Sequence, residues 1–209
     1  MSVTQRRRER ERQELRAGIL TAAREIAARD GWQSVTVRKV AEAVEYSPPM
    51  IYEYFSSKEA ILSELLRLGF AEITEAMVAA RTPASTPDRA LMEMAQAYWQ
   101  YAFANPELYQ VMHGLGGVPF GTVATPEEAR ATFTVLRDAF ADFLVGSDVA
   151  ASDLNDVVDL FWGNLHGLVA LTMTGRIAGG QERAATLIEP GIHLFLTGLT
   201  AQRRDDRDR

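Results

Sequence analysis

Residues 36–58 read TVRKVAEAVEYSPPMIYEYFSSK, and this stretch decides the fold. Thr36 is placed to cap a first helix with its hydroxyl group. The apolar positions of that helix are Val37, Val40, Ala41 and Val44. Ser47 followed by Pro48 predicts the start of a second helix, because a hydroxyl N-cap is often followed by proline at the first helical position. The stretch therefore predicts two short helices joined by a tight turn.

The outer side of the second helix carries side chains suited to DNA. If Ile51 and Phe55 face the core, the remaining residues of 48–53 lie on or near the outer side. In a helix-turn-helix the second helix enters the major groove through its N-terminal part, and hydroxyl, arginine and lysine groups bond phosphate oxygens. The candidate DNA-binding residues are Thr36, Arg38, Ser47, Pro48, Pro49, Met50, Tyr52, Tyr54 and Lys58. The alternative is that the two tyrosines only cover the core.

The longer string TVRKVAEAVEYSPPMIYEYFSSKEAIL, residues 36–62, resembles the DNA-binding segment of the TetR family of transcriptional repressors. The resemblance covers residues 13–66 and follows the order of the family: a Thr-capped helix, a turn ending in Ser, Tyr-x-x-Phe, Ser-Lys and a long helix. It implies DNA-backbone contacts from Thr36, Tyr52, Tyr54 and Lys58. It implies base contacts from Arg38 and from residues 48–50.

The sequence departs from the family pattern in two places. Glu45 stands in the turn where the family usually has glycine, so a positive φ at this position would impose a steric cost. Pro48, Pro49 and Met50 stand where small or polar residues are more usual. We therefore expect an apolar base-reading surface that contacts thymine methyl groups.

The charge is divided unevenly along the chain. The 209 residues have a net charge of −6. Residues 1–58 hold 11 basic and 8 acidic side chains, a net of +3, whereas residues 59–209 hold 11 and 20, a net of −9. Such asymmetry indicates a nucleic-acid-binding end joined to a body with another role.

The composition excludes several kinds of site. The chain has no cysteine, which excludes disulfides and thiolate chemistry. Its three histidines, His113, His166 and His193, are far apart in the sequence, and we expect neither a metal site nor a cofactor. The first residues contain no apolar signal region and no apolar run reaches 18 residues, so the expected location is the cytoplasm.

The predicted fold is all-α, with about nine helices arranged as a three-helix head and a larger helical body. We expect a disordered basic arm at residues 1–12 and a DNA-binding domain at 13–58. A ligand-binding and dimerisation domain is expected at 59–201, followed by a disordered tail at 202–209. The arm contains RRRERER, residues 6–12, which either lies along DNA or remains solvated.

The last two long helices carry apolar positions at helical spacing. Proteins of the TetR family dimerise through the corresponding helices, and the resemblance implies a homodimer here. The expected interface residues are Phe161, Leu165, Leu168, Ile188, Ile192, Phe195 and Leu199. Core packing within one subunit is the alternative, and the two interpretations overlap. Two heads one DNA turn apart, roughly 34–36 Å, would read a palindromic operator.

The middle of the body is rich in aromatic residues and methionines, which suits a mostly apolar pocket with a few polar groups. The candidate ligand-binding residues are Tyr98, Tyr101, Phe103, Tyr109, Met112, His113, Phe133, Phe140, Trp162, Asn164 and His166. For any one of them, simple core packing is the alternative. The stretch WGNLHGLVALTM, residues 162–173, resembles the Trp-His-Gly-type region of one branch of the family.

The expected function is a ligand-released repressor bound to double-stranded DNA. An enzyme is disfavoured, because no Ser/His/Asp spacing, paired-carboxylate motif or Gly-rich phosphate loop accompanies the histidines. An architectural or division-site DNA-binding protein on the same fold, without an effector, is the alternative.

Overall fold

The computed structural model describes residues 2–113, 122–123, 125–145 and 151–207; for 151–153 and 202–207 it describes the backbone alone. All regular structure in these ranges is helical, which confirms the all-α prediction. Most of the Gly- and Pro-rich segment at 114–126, expected to be a loop, lies outside the described residues, as do the last two residues of the tail.

The described residues form ten α-helices and one 3₁₀ turn. The helices are α1 (Val3–Asp30), α2 (Val37–Ala43), α3 (Pro48–Tyr52), α4 (Lys58–Arg81), α5 (Pro87–Ala104), α6 (Pro106–His113), α7 (Glu127–Phe143), α8 (Ala151–Met173), α9 (Gly180–Ala185) and α10 (Ile188–Arg207). The 3₁₀ turn, Trp32–Ser34, follows α1.

The chain divides into two compact units, with the boundary inside α4 after Gly69. Unit 1 comprises Met1–Gly69 and Asn105–Pro119. Within it, α1 packs against α2 and α6, and α2 packs against α3. The fully buried side chains at its centre include Ile19, Val40, Ile51, Leu65 and Leu108. Local caps define the short helices, because the Thr36 hydroxyl accepts a hydrogen bond from the Lys39 N–H at 3.2 Å.

Unit 2 comprises Phe70–Ala104 and Phe120–Arg209. Here α7 packs against α5 and α8, and α10 packs against α5 and α8. The rings of Phe140, Phe161 and Phe195 meet edge to face at centroid distances of 5.0–6.2 Å. This aromatic cluster lies at the junction of α7, α8 and α10. The domain limits at residues 58 and 201 remain a prediction.

The N-terminal arm differs from the expected disordered segment, because α1 begins at Val3. Ser2 and Gln5 form a reciprocal capping box, and the Arg7 guanidinium bonds the Glu11 carboxylate one turn later at 2.7 Å. α10 likewise continues to Arg207, into the expected tail. The last helical stretch of the chain is divided into α9 and α10.

Candidate functional site

The turn between α2 and α3 contains a strained residue. Glu45 has a φ of +60°, a conformation that glycine adopts without cost. The Tyr46 N–H donates to the Ala41 carbonyl at 2.9 Å, and the Glu45 N–H donates to the Glu42 carbonyl at 3.3 Å. This pair of bonds is the Schellman arrangement that ends many helices, in which glycine is usual at the position of Glu45. The two hydrogen bonds hold Glu45 in the strained conformation.

The N-terminus of α3 presents few hydrogen-bond donors. Pro48 and Pro49 occupy its first two positions, and the side chain of Ser47 makes no capping bond, because the prolines remove nearby N–H groups. The Ser47 carbonyl instead accepts from the Met50 N–H at 3.0 Å. Ser47 and both prolines are exposed, and Met50 is half-buried. This end of α3 therefore presents one hydroxyl beside an apolar surface.

The other candidate DNA contacts differ in how far they are already engaged. Tyr52 is exposed, whereas Tyr54 is half-buried beneath Arg12, whose guanidinium carbon lies 5.8 Å from the ring centroid. Arg38 is exposed and pairs with Glu42 one turn away at 3.1 Å. Such an exposed pair contributes little stability, so the guanidinium can exchange this partner for a phosphate.

Lys58 has a structural partner within unit 1. Its ammonium donates to the Trp32 carbonyl at 2.9 Å, and the Trp32 indole N–H donates to the Glu107 carbonyl at 2.9 Å. The Arg24 guanidinium also bonds Glu107 and Asn105. Lys58 therefore joins the start of α4 to the 3₁₀ turn, a role that the sequence did not predict. An ammonium has three donors, so the predicted phosphate contact remains compatible with this bond.

Some of the candidate ligand-binding residues lie together in unit 2. The Trp162 indole N–H donates to the Tyr98 hydroxyl at 3.2 Å, and the Trp162 ring stacks on His166 at 5.5 Å. Burial lowers the pKa of His166 from its ordinary value of 6.5, which favours a neutral imidazole near pH 7. The Tyr101 hydroxyl donates to the Glu72 carboxylate at 3.0 Å. Tyr98, Tyr101, Trp162 and His166 are therefore the candidate residues of unit 2 whose polar atoms have identified partners or surroundings.

The remaining candidates are placed differently. Tyr109, Met112 and His113 belong to unit 1, where the Tyr109 and His113 rings lie 4.5 Å apart. Phe140 is fully buried in the aromatic cluster and acts as core. Phe103 packs against the Trp99 ring at 4.3 Å. Phe133 is half-buried on α7.

Asn164 remains a predicted ligand-binding residue, but its surroundings differ from those of the buried candidates. Its side chain is exposed, and its amide donates to the Leu160 carbonyl of the preceding turn at 2.8 Å. It therefore lies on the outer side of α8, away from the buried aromatic residues of that helix.

The predicted interface residues are mostly core. Phe161, Leu165, Ile188 and Ile192 are at most 5% exposed within a single chain, which leaves them little surface for a partner. Leu168, Phe195 and Leu199 are half-buried. The exposed apolar positions lie on other sides of the same helices. Together with the half-buried Gly167, we call them the leucine–glycine face: Leu160, Gly163, Gly167 and Leu171 on α8, with Gly191, Leu194 and Gly198 on α10.

The leucine–glycine face has helical spacing on both helices, with steps of three or four residues. Leu160 on α8 and Leu194 on α10 are 61% and 72% exposed, and large apolar side chains exposed in a row mark an interaction surface. A Cβ atom added at any of its four glycines would meet nothing within 4 Å. The sequence contained a signal for this face: Gly163 and Gly167 are four residues apart, between Leu160 and Leu171. Small residues at this spacing let the backbone of another helix approach closely.

No helix in the described part of the chain is both long enough and apolar enough to span a membrane. A search of the same residues finds no group of three histidine or acidic side chains placed to hold a metal ion.

Two family models match the chain. Residues 19–65 match the bacterial regulatory proteins of the tetR family, and residues 91–195 match the tetracyclin repressor-like C-terminal domain. The first match contains the turn and α3, and the second contains most of unit 2. Together they cover both compact parts of the chain.

Individual proteins agree with these matches. The chain is 28% identical over 190 residues to the uncharacterized HTH-type transcriptional regulator Rv0681 of Mycobacterium tuberculosis, covering 82% of this chain and 83% of that protein. It is 27% identical over 97 residues to the HTH-type transcriptional repressor NicS of Pseudomonas putida, covering 46% of each. A solved protein of unknown function from Rhodococcus sp. RHA1 shares the fold, with a TM-score of 0.76 at 22% identity, covering 88% of this chain and 94% of that one.

Proposed function

The chain belongs to the TetR family of DNA-binding transcriptional regulators, and we propose that it is a homodimeric repressor released from a palindromic operator by a small ligand. The observation that carries the proposal is the exposed N-terminal end of α3 beside a basic α1. A repressor occurs among the relatives, which supports the sign of regulation.

DNA recognition is assigned to α3 and its surroundings. In a helix-turn-helix the N-terminal residues of the second helix reach base edges in the major groove. Here those residues are Pro48, Pro49 and Met50, whose apolar surfaces suit thymine methyl groups. Thr36, Tyr52, Tyr54 and Lys58 are proposed to hold the DNA backbone, and Arg38 to reach a base edge or a phosphate. Ser47 keeps a hydroxyl for a phosphate or base.

Dimerisation is assigned to the leucine–glycine face. Its leucines supply apolar area, and its glycines allow the helices of a second copy to approach closely. Burying such leucines stabilises an assembly by roughly 1.5–3 kcal/mol for each side chain. The proposal thus places the interface beside the residues expected from the sequence, on the exposed side of the same two helices.

Ligand control is assigned to the body. Trp162 contacts both Tyr98 and His166, so three aromatic rings with polar atoms lie next to one another. Such a group suits an aromatic or largely apolar ligand with one polar group. The ligand must bind the DNA-incompetent state more tightly than the competent one, since equal affinity shifts nothing. Movement of α4, which runs through both units, would then change the spacing of the two heads.

The test is selection of genomic DNA fragments by the purified protein. We expect a palindrome with half-sites one helical turn apart and thymines opposite Met50. Fragments without a common palindrome would contradict the proposal. Compounds suggested by the neighbouring genes should lower operator affinity and raise the melting temperature. A compound that raises melting without changing DNA affinity would favour the effector-free architectural alternative.

A further inference from the structure

The N-terminal half of α1 projects beyond the core of unit 1. Its first fully buried residue is Ile19, so more than four helical turns precede the core. Residues 6–12 carry five arginines and two glutamates, all exposed. This charge is held on a regular helix, so each arginine has a defined side.

Two of these arginines face α3. Arg8 and Arg12 are four residues apart and continue the side of α1 that carries Leu15 and Ile19. They line a groove with Tyr46 and Met50. Arg6 and Arg10 have the same spacing but lie on the opposite side of the helix, roughly half a turn away. The arm therefore has a face directed towards the base-reading helix and a face directed away from it.

The two arginines of the groove have no carboxylate partner among the described residues. Arg7, by contrast, is paired with Glu11 at 2.7 Å. Tyr54 lies beneath the Arg12 guanidinium and limits its movement. Glu53 and Glu11, the partner of Arg7, also line the groove, so an anion bound there must be held by both guanidinium groups rather than by one.

We propose that Arg8 and Arg12 clamp DNA phosphates that flank the half-site read by α3. This inference rests on the proposed DNA-binding function and adds two residues that the helix-turn-helix does not contain. The occupant is duplex DNA backbone, because guanidinium groups bind phosphate in a bidentate manner and the groove adjoins Met50. The arm thereby extends the footprint beyond the half-site.

The test compares two double variants of the full chain that lose the same charge. Arg8→Gln with Arg12→Gln should weaken binding to an operator duplex about tenfold and lower the salt slope by about two per head. Arg6→Gln with Arg10→Gln is the matched control and should change affinity less than about threefold. Arg8→Lys with Arg12→Lys should restore most of the affinity, since lysine also binds phosphate.

Circular dichroism should show equal helicity in all three variants, so that any loss is assigned to contacts. Equal losses in the two glutamine variants, or no loss in either, would overturn the clamp while the repressor proposal stands. A duplex shortened to remove the flanking base pairs should abolish the difference between them. If the unmodified protein binds no palindromic duplex, both proposals fail together.

Discussion

The two compact units are held together by different interactions. Unit 1 uses directional polar links between separate elements: Arg24 to Glu107, Trp32 to the Glu107 carbonyl, and Lys58 to the Trp32 carbonyl. Arg16 also pairs with Glu64 and covers the Phe55 ring. Bonds of this kind fix the angles between helices, as a surface that must match a DNA groove requires.

Unit 2 relies more on apolar contact. Phe140, Phe161 and Phe195 form its centre, and its exposed surface includes Leu160 and Leu194. Unit 1 instead exposes Tyr46, Tyr52 and a row of arginines. The two surfaces therefore suit different partners. The arginines and tyrosines of unit 1 suit a polyanion, and the exposed leucines of unit 2 suit a second protein chain.

The largest test of this contrast changes the leucines of unit 2. Leu160→Glu with Leu194→Glu should convert the dimer to a monomer, because the charges would be buried against a second copy. Loss of the second head should lower operator affinity on the order of 100-fold or more. Sedimentation and DNA titration measure the two effects. Val78→Glu, an exposed apolar position outside the face, is the control. A double variant that remains dimeric would refute the interface.

Substitutions of the glycines in the leucine–glycine face should have a smaller effect, and stability and dimer affinity should change in opposite directions. In an isolated chain, Gly163→Ala with Gly167→Ala should stabilise α8, because their surroundings are open and alanine favours helix by roughly 1 kcal/mol each. Against a partner helix the added methyl groups should instead weaken the dimer about tenfold through overpacking. Gly18→Ala, also open inside a helix, is the control and should only raise melting. A double variant with a higher melting temperature and unchanged dimer affinity would contradict the assignment of the leucine–glycine face to the dimer interface.

In unit 1, substitutions of Glu45 separate the cost of backbone strain in the turn from the cost of its negative charge. Glu45→Gly should stabilise the chain by roughly 1 kcal/mol because it relieves the positive φ, which raises melting by about 2–4 °C. Glu45→Gln removes the charge and keeps the strain. Both variants should bind DNA more tightly than the unmodified protein, while only glycine should raise melting. Equal melting of the two would show that charge, not backbone strain, is the cost at this position.

Much of unit 1 could be predicted from the sequence because its signals are local. Thr36 and the Ser47–Pro48 pair predicted the starts of α2 and α3. The sequence left open whether Glu45 needs a positive φ, and the structure has a φ of +60° there. The helical arm was missed although Ser2 and Gln5 have the spacing of a capping box. The high charge density of residues 6–12 favoured a prediction of disorder, and the capping box was not used in that prediction.

The outer face of unit 2 could not be predicted in the same way. α8 and α10 carry two apolar sides each, and periodicity does not say which side meets the rest of the chain. Phe161 and Ile192 are larger and more apolar than the glycines, so the sequence assigned them to the interface. Packing of α8 and α10 against α5 buries that side and leaves Leu160 and Leu194 exposed. Tertiary contacts, which no local pattern encodes, determine which side of each helix stays exposed.

The smallest test concerns pH and belongs to unit 2 alone. Because burial lowers the pKa of His166 below 6.5, the unfolded chain binds this proton more strongly than the folded chain. The contribution to stability is therefore complete above the unfolded pKa and falls as pH decreases through 6.5 towards the folded pKa. His166→Asn loses the Trp162 stack at every pH but removes this titration. Urea unfolding between about pH 5 and pH 8 should consequently show a shallower loss of stability in the variant, whatever its absolute stability. Parallel curves for the two proteins would mean that the imidazole is not neutral by burial, and its place beside Tyr98 and Trp162 as a polar group for an apolar ligand would then lose its basis.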